Sequence, residues 1–429
     1  MRSYGMRKVY PTAVLAFAVA ILSVSTFAQS GKSKQIDDFL KPFIAANQFG
    51  GQIVAAENGK IIYQKAFGLA NADFKIPNDL HTRIGIASIT KQMTDVILTR
   101  MVEERRISMD EKLSKYIPDF PQADKITIDM LANHRSGIPH RVMAPERESV
   151  AYTSAEFVEM AKKAKFDFEP GTRSSYSSGG YAVLARCLEI ASGKSYAELL
   201  QQYVFGPAGM RDSLTFYGET VIERRAQDYY PSPDGVMNVP LKDYSFLVGA
   251  GSVFGTADDV LKFASSIVTG KYGEAIKTGW VKNNIVSGSG STNGHRAYYE
   301  IDKDNRYSYA IVANMSGAFD AISKGISEIM QGKPLTAKFS PTPAIIPNPN
   351  KDLGEFLGHF EVAGGNPSND VVIRNGSLYA GDVKLYPTKP DCFFEYRFFG
   401  NVCFARDTSN KVVGINWTGE GFDLKFVKR

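Results

Sequence analysis

Ser88-Ile89-Thr90-Lys91 sets a hydroxyl and an amine three residues apart. On a helix, positions i and i+3 share a face, so the amine can reach the hydroxyl oxygen. A serine is a poor nucleophile until a neighbouring base takes its proton. Lysine can be that base only where burial or nearby cations push its amine toward neutrality. The same four residues also fit a solvated lysine beside an N-cap serine, and the tetrad alone leaves both readings open.

Other patterns that could carry chemistry lack their context. Ser192-Gly193-Lys194-Ser195 ends like a phosphate loop, but Leu188 stands where the first glycine is required. Gly249-Ala250-Gly251 is not followed by the helix and acid of a dinucleotide fingerprint, and there is no Gly-x-Ser-x-Gly elbow. The five histidines show no metalloprotease pairing, so neither a metal nor a cofactor is expected.

The elements that must position Ser88 and Lys91 follow from periodicity. Residues 52–55 and 60–67 predict two strands joined at Asn58-Gly59, a dipeptide suited to a tight hairpin turn. Met93, Val96, Ile97 and Met101 recur at helical spacing from residue 90 to about 103, which puts Ser88 at a helix start. A second helix is predicted over 181–190, stopping at Ser192-Gly193. A third runs from Thr256 as N-cap to Val268, with Asp258 and Asp259 where the helix dipole favours acids. A buried strand over 307–314 and a helix around 318–330 complete an α+β alternation.

With those elements in place, residues 82–91 resemble the nucleophile segment of class C β-lactamases, D-alanyl carboxypeptidases and related esterases, members of the serine β-lactamase-like, penicillin-binding superfamily. Three further segments match in order. His134-Arg135-Ser136-Gly137-Ile138-Pro139, within residues 126–139, is similar to the family's His-x-Ser-Gly-Leu-Pro. Pro170-Gly171 through Tyr176-Ser177-Ser178 resembles Pro-Gly-x-x-x-x-Tyr-Ser-Asn, and Gly249-Ala250-Gly251-Ser252 ahead of Thr256 resembles Gly-Ala-Gly-Gly and its helix start. The similarity covers roughly residues 35–330. It implies an antiparallel sheet flanked by helices beside an all-helical region, with the nucleophile at their junction. It also implies Ser88 as the acyl-accepting nucleophile, Lys91 and Tyr176 sharing the proton transfers, and a phenol pKa lowered by the nearby ammonium. The oxyanion would be held by the amides of Ser88 and of Ser291, the residue after the family's Lys-Thr-Gly or His-x-Gly triad.

That triad is matched here by Gly288-Ser289-Gly290, which has lost the leading cation. The loss weighs against recognition of a β-lactam or D-Ala-D-Ala carboxylate. Ser178 stands where the family has asparagine, a shorter side chain with one donor. His295 or Arg296 could return a positive charge, a structural role being the simpler reading, and His134 reads as a residue of the layer behind the site. The expectation is an exported serine hydrolase forming an acyl-enzyme on Ser88 and acting on a small ester, amide or D-amino-acid peptide. The alternatives are a true β-lactamase or D-Ala-D-Ala carboxypeptidase, and a catalytically silent binding protein of the same fold.

The 429 residues exceed one ordinary core, so two folded units are expected. Arg2, Arg7 and Lys8, an apolar run over 13–24 and a small-residue exit at Ala28 read as a signal peptide over 1–28, with an uncleaved anchor as the alternative. Its loss takes the formal charge from +5 to about +2, too little for a nucleic-acid footprint. The partner expected is therefore a small-molecule or peptide substrate in the periplasm or outside the cell, with no nucleic acid and no membrane span after cleavage. Nothing in the sequence speaks to oligomeric state. A serine hydrolase domain over 29–334 is followed by a linker over 335–351, marked by Pro341, Pro343, Pro347 and Pro349. Strand-like runs at 371–374, 378–379, 393–398, 402–405, 412–417 and 422–427 predict a small all-β, barrel-like domain over 352–429, with a turn at Gly400-Asn401. Phe393, Phe394, Phe398 and Phe399 read as its core rather than a ligand platform. Cys187, Cys392 and Cys403 allow at most one bridge. A turn at Gly400-Asn401 would set residue 398, not 392, opposite 403, so buried free thiols are expected.

Overall fold

The structure is a computed structural model that describes residues 31–216, 220–315, 317–349, 352–363, 365, 367–419 and 422–429. The segment read as a signal peptide, 1–28, lies outside the described residues. In chain order, the elements that position the site are α1 (Gly31–Ala45), β1 (Gly50–Glu57), β2 (Lys60–Phe67), α2 (Ile89–Glu103), α3 (Ser178–Ser192), β3 (Tyr229–Ser232), β4 (Gly235–Asn238), α4 (Ala257–Val268), β5 (Ile285–Ser291), β6 (Arg296–Asp302), β7 (Tyr307–Met315) and α5 (Phe319–Gln331).

Asn58 and Gly59 both take positive φ, 48° and 73°, as a tight turn between twisted strands demands. The sheet runs β5-β6-β7-β1-β2, antiparallel throughout, with β3 joined to β7 in parallel and β4 to β3. Helices cover both faces. Ile36 and Phe39 of α1 and Ile322 and Ile326 of α5 pack with Ile53 and Ile311 on one face. On the other, Met93, Val96 and Ile97 of α2, Val183 of α3 and Phe263 of α4 pack with Val54 and Val312. Central β7 is accordingly apolar and buried along nearly all its length, whereas β5 is left with a free edge. The α+β expectation is met. Among the described residues, no helix is long and apolar enough to cross a membrane.

Helix ends follow local chemistry. Ser177 caps α3 by accepting from the Gly180 N–H, and Gly193 closes it in the left-handed conformation. Thr256 caps α4 by accepting from the Asp259 N–H.

Residues 333–349 form no helix or strand. They are nonetheless held, Phe339 meeting Phe43 of α1 edge-on at 5.3 Å between ring centres. Beyond them lie β8 (Gly358–Glu361), β9 (Ser368–Arg374), β10 (Ser377–Ala380), β11 (Val383–Lys384), β12 (Tyr386–Lys389), β13 (Cys392–Glu395), β14 (Gly400–Arg406), β15 (Val412–Gly419) and β16 (Phe422–Lys428). They make one antiparallel sheet, β11-β10-β9-β8-β16-β15-β14-β13-β12, curled around Phe356, Phe360, Phe393, Val402 and Trp417.

Three expectations for this unit are corrected. Gly400-Asn401 is not a turn but the start of β14, and β13 ends at Glu395, which pairs with Gly400. The turn is residues 396–399, because the buried Glu395 carboxylate accepts from the Phe398 and Gly400 N–H groups, each at 2.9 Å. That register sets Cys392 opposite Cys403 with Cα atoms 4.1 Å apart, and the two form a disulfide. Cys187 alone is a buried free thiol. Finally, Phe393 and Phe394 are core residues, but Phe398 is 47% exposed, since the turn aims it out of the sheet.

Candidate active site

Ser88 stands at the N-cap position of α2 with its hydroxyl not engaged in capping, and the residue before it, Ala87, holds φ at 47°. A non-glycine residue stays in that conformation only where its surroundings hold it. Here Ile86 N–H donates to the Val253 carbonyl at 3.0 Å and Val253 N–H to Thr90 Oγ1 at 3.3 Å, bolting the turn from both sides. Lys91, one turn later, is 5% exposed. Its Nζ lies 3.4 Å from Ser88 Oγ, 3.1 Å from Ser178 Oγ and 2.8 Å from the Ala250 carbonyl oxygen. Burial pulls its pKa down to about 7, against the pull of Asp95 one turn further on, whose own carboxyl is raised by burial. A neutral amine has two N–H bonds and one lone pair. With Ser178 and Ala250 taking the hydrogens, the lone pair is left for Ser88.

The Tyr176 hydroxyl lies 2.8 Å from Ser88 Oγ, and the Lys91 ammonium position is 4.8 Å from the centre of its ring. The rings of His134 and His140 flank it at 4.7 and 5.5 Å. Their Nδ1 atoms accept from the Ser177 and Ser178 N–H groups at 3.1 and 3.2 Å, pinning the chain where Tyr176 enters α3. Burial lowers both imidazoles, His134 to about 4, so neither supplies a cation at neutral pH. The expected lowering of the Tyr176 phenol is not found. Burial raises its pKa, outweighing the hydrogen bond with Ser88 that lowers it.

On the strand side, a Cβ at Gly290 would sit 2.2 Å from the Ile86 carbonyl oxygen and 2.8 Å from Ser88 N, so only glycine lets β5 lie against the nucleophile turn. Thr292 N–H donates to the His295 carbonyl at 3.0 Å. Antiparallel alternation therefore leaves the Ser291 N–H pointing off the free edge of β5. The Ser88 amide at the helix start lies against the same strand, 2.8 Å from where a Cβ of Gly290 would sit. Ser88, Lys91, Tyr176, Ser178, Gly288, Ser289, Gly290 and Ser291 all line one cleft of about 1300 Å³. Ser289 does so from the rim, its side chain alternating to the sheet face opposite Gly288 and Gly290.

Residues 36–324 match the Beta-lactamase family. The chain belongs to the β-lactamase family. It is 25% identical over 419 residues to Penicillin-binding protein 4* of Bacillus subtilis (strain 168), covering 85% of this chain and 92% of that one. Against the teichoic acid D-alanine hydrolase of Staphylococcus aureus (strain MRSA252) it is 28% identical over 237 residues, 55% of this chain and 57% of the relative, so that match spans little more than half of the hydrolase. Its fold is that of a D-amino acid amidase from Ochrobactrum anthropi SV3 complexed with L-phenylalanine amide, with a TM-score of 0.63 at 21% identity over 70% of this chain and 99% of that chain.

Within this β-lactamase-family cleft the space expected for the triad's cation is filled. A Cβ at Gly288 would lie 2.1 Å from Gln92 Oε1 and 2.5 Å from the Tyr299 ring. Gln92 is held there by Tyr299 OH, which donates to Oε1 at 3.0 Å, and by the Ser287 carbonyl, which accepts from Nε2 at 3.1 Å. His295 returns no charge to the cleft. It is fully buried with Nε2 against Asp228, whose other oxygen accepts from Tyr244 OH at 2.6 Å. Arg296 lines the cleft but is paired with Asp320 and stacked on Phe319.

Sequence reasoning missed Asp95, Gln92 and His140, and named Ala250 without a role for its carbonyl. Asp95 carried a signal, an acid four residues after Lys91 and so on the same helix face. His140 stands directly after the Pro139 that closes the second matched segment. Gln92 carried none.

Proposed function

We propose that this β-lactamase-family protein is an exported serine hydrolase that forms an acyl-enzyme on Ser88 and acts on a small ester, amide or D-amino-acid peptide. The observation that carries the reading is the convergence of Tyr176 and Lys91 on one hydroxyl, at 2.8 and 3.4 Å. Opposed environments assign the roles. Burial leaves Lys91 near neutrality, able to act as base, and keeps the phenol of Tyr176 protonated, able to act as acid.

Ser88 Oγ adds to the carbonyl carbon as Lys91 takes its proton, and the amides of Ser88 and Ser291 receive the oxyanion. Collapse expels the alcohol or amine with the Tyr176 proton, which the Lys91 ammonium then replaces. A water molecule repeats the addition, giving its proton to Lys91, and the acid departs as Ser88 Oγ is reprotonated. The names of the relatives, a D-alanine hydrolase and a D-amino acid amidase, support the substrate class, and the leader over 1–28 supports export. The working division is a hydrolase domain over 29–334, a linker over 335–351 and a β domain over 352–429. The occupied space beside Gly288 weighs against a β-lactamase or D-Ala-D-Ala carboxypeptidase, and rapid nitrocefin turnover would reverse that judgement.

The test is labelling by a fluorophosphonate together with p-nitrophenyl ester turnover. Both are expected in the mature chain and lost in Ser88→Ala. An unlabelled protein, or a Ser88→Ala variant with full turnover, removes the acyl-enzyme.

A further inference from the structure

The turn 396–399 of the C-terminal sheet reaches the cleft that holds Ser88, where Arg397 and Phe398 form part of the wall with Ser291, Asn293 and Tyr230. Phe398 presents a half-exposed aromatic ring there, although burial is what ordinarily rewards such a side chain. The turn is built to present it. Glu395, fully buried, accepts from the N–H groups of Phe398 and Gly400 and from Trp417 Nε1 at 3.3 Å. Phe399 is held at φ 57°, a conformation costly for a bulky residue and concentrated at functional loops. Its ring packs back against the cluster beneath α1 and α5. Arg397 latches the turn to the hydrolase unit. It binds both oxygens of Asp382 at 2.6 Å, donates to Asn293 Oδ1 at 3.0 Å and lies over the Tyr230 ring at 5.5 Å. Asn293 is two residues from Ser291.

We propose that the C-terminal sheet completes the substrate site, with Phe398 determining specificity for an apolar or aromatic group on the acyl part of the substrate and Arg397 positioning it. This rests on the acyl-enzyme reading. The leaving group must lie at Tyr176, which protonates it. Phe398 is latched to the other wall, beyond Ser291, so the substituent that reaches it belongs to the acyl part. Arg397 lies over one face of the Phe398 ring at 5.1 Å and its charge is met by Asp382, so the half of the ring that stays exposed is the recognition surface, and it selects for an apolar or aromatic group rather than an anion.

The test compares p-nitrophenyl phenylacetate with p-nitrophenyl acetate, which share a leaving group. The wild type is expected to favour the phenylacetyl ester in kcat/KM, and Phe398→Ala to lower that ratio by about tenfold. Phe398→Leu should lower it less, and Arg397→Ala should lower it although the ring remains. A wild type without the preference, or a Phe398→Ala variant that keeps it, overturns the proposal. Absence of both ester turnover and fluorophosphonate labelling in the wild type overturns the acyl-enzyme instead. In that case calorimetric binding of phenylacetate decides the subsite: weaker binding to Phe398→Ala than to wild type supports it, and equal binding ends it.

Discussion

Lys91 Nζ lies 3.1 Å from Ser178 Oγ, so the serine that stands where the family has asparagine acts as an acceptor, taking a hydrogen from the lysine. A single hydroxyl acceptor, with the Ala250 carbonyl, is enough to turn the lone pair toward Ser88. Ser178→Ala removes one of the two contacts that orient the amine. The expected result is a fall in kcat for ester hydrolysis of about tenfold with little change in KM. Steady-state kinetics on p-nitrophenyl acetate checks this, and an unaltered kcat would remove Ser178 from the orienting role.

The pH profile follows from the same amine. With its pKa pulled down to about 7 by burial, Lys91 is protonated below that pH and cannot accept the serine proton, and it is free above it. kcat/KM is expected to climb with pH through about 7. Asp95 holds the pKa of Lys91 up, so Asp95→Asn should move the rise to lower pH. A rise that stays in place, or moves to higher pH, contradicts the assignment of Lys91 as base.

Restoring the family's cation by Gly288→Lys should fail. The new side chain meets Gln92 and the buried Tyr299 ring, and overpacking of that kind costs about 1–3 kcal/mol. A lower melting temperature without gain in nitrocefin hydrolysis is expected. A variant that melts as the wild type does and hydrolyses nitrocefin would show that the space is open.

The Cys392–Cys403 bridge closes a short loop within the β sheet, with a sequence separation of 11. Replacing both cysteines by serine is expected to destabilise the C-terminal unit by about 2–3 kcal/mol, read from denaturant unfolding. Dithiothreitol should bring the wild type to the same level and leave the double variant where it is. Insensitivity of the wild type to reductant would mean that the thiols are unpaired.

Much of the architecture was legible because it rests on short-range rules. The Asn58-Gly59 hairpin, the Thr256 cap, the Gly193 stop and the 3.6-residue spacing of Met93, Val96, Ile97 and Met101 are each settled within a few residues of chain. The misreading at Gly400-Asn401 shows the limit of such rules. That dipeptide suits a turn, but Glu395, buried and seeking donors, closes the turn three residues earlier and carries Cys392 into register with Cys403.

By itself, then, the sequence determined that Ser88 and Lys91 share a helix face. It also determined that a second, all-β unit follows a proline-marked stretch, since periodicity and turn chemistry are local properties. Only the tertiary structure decided that Lys91 is buried enough to bring its pKa down to about 7, and that Gln92 fills the cation's place. It likewise decided that Tyr176 is clasped between His134 and His140, and that Phe398 enters the cleft from the far end of the chain. Desolvation and contact between distant segments depend on everything packed around a group, and no window of residues contains that information.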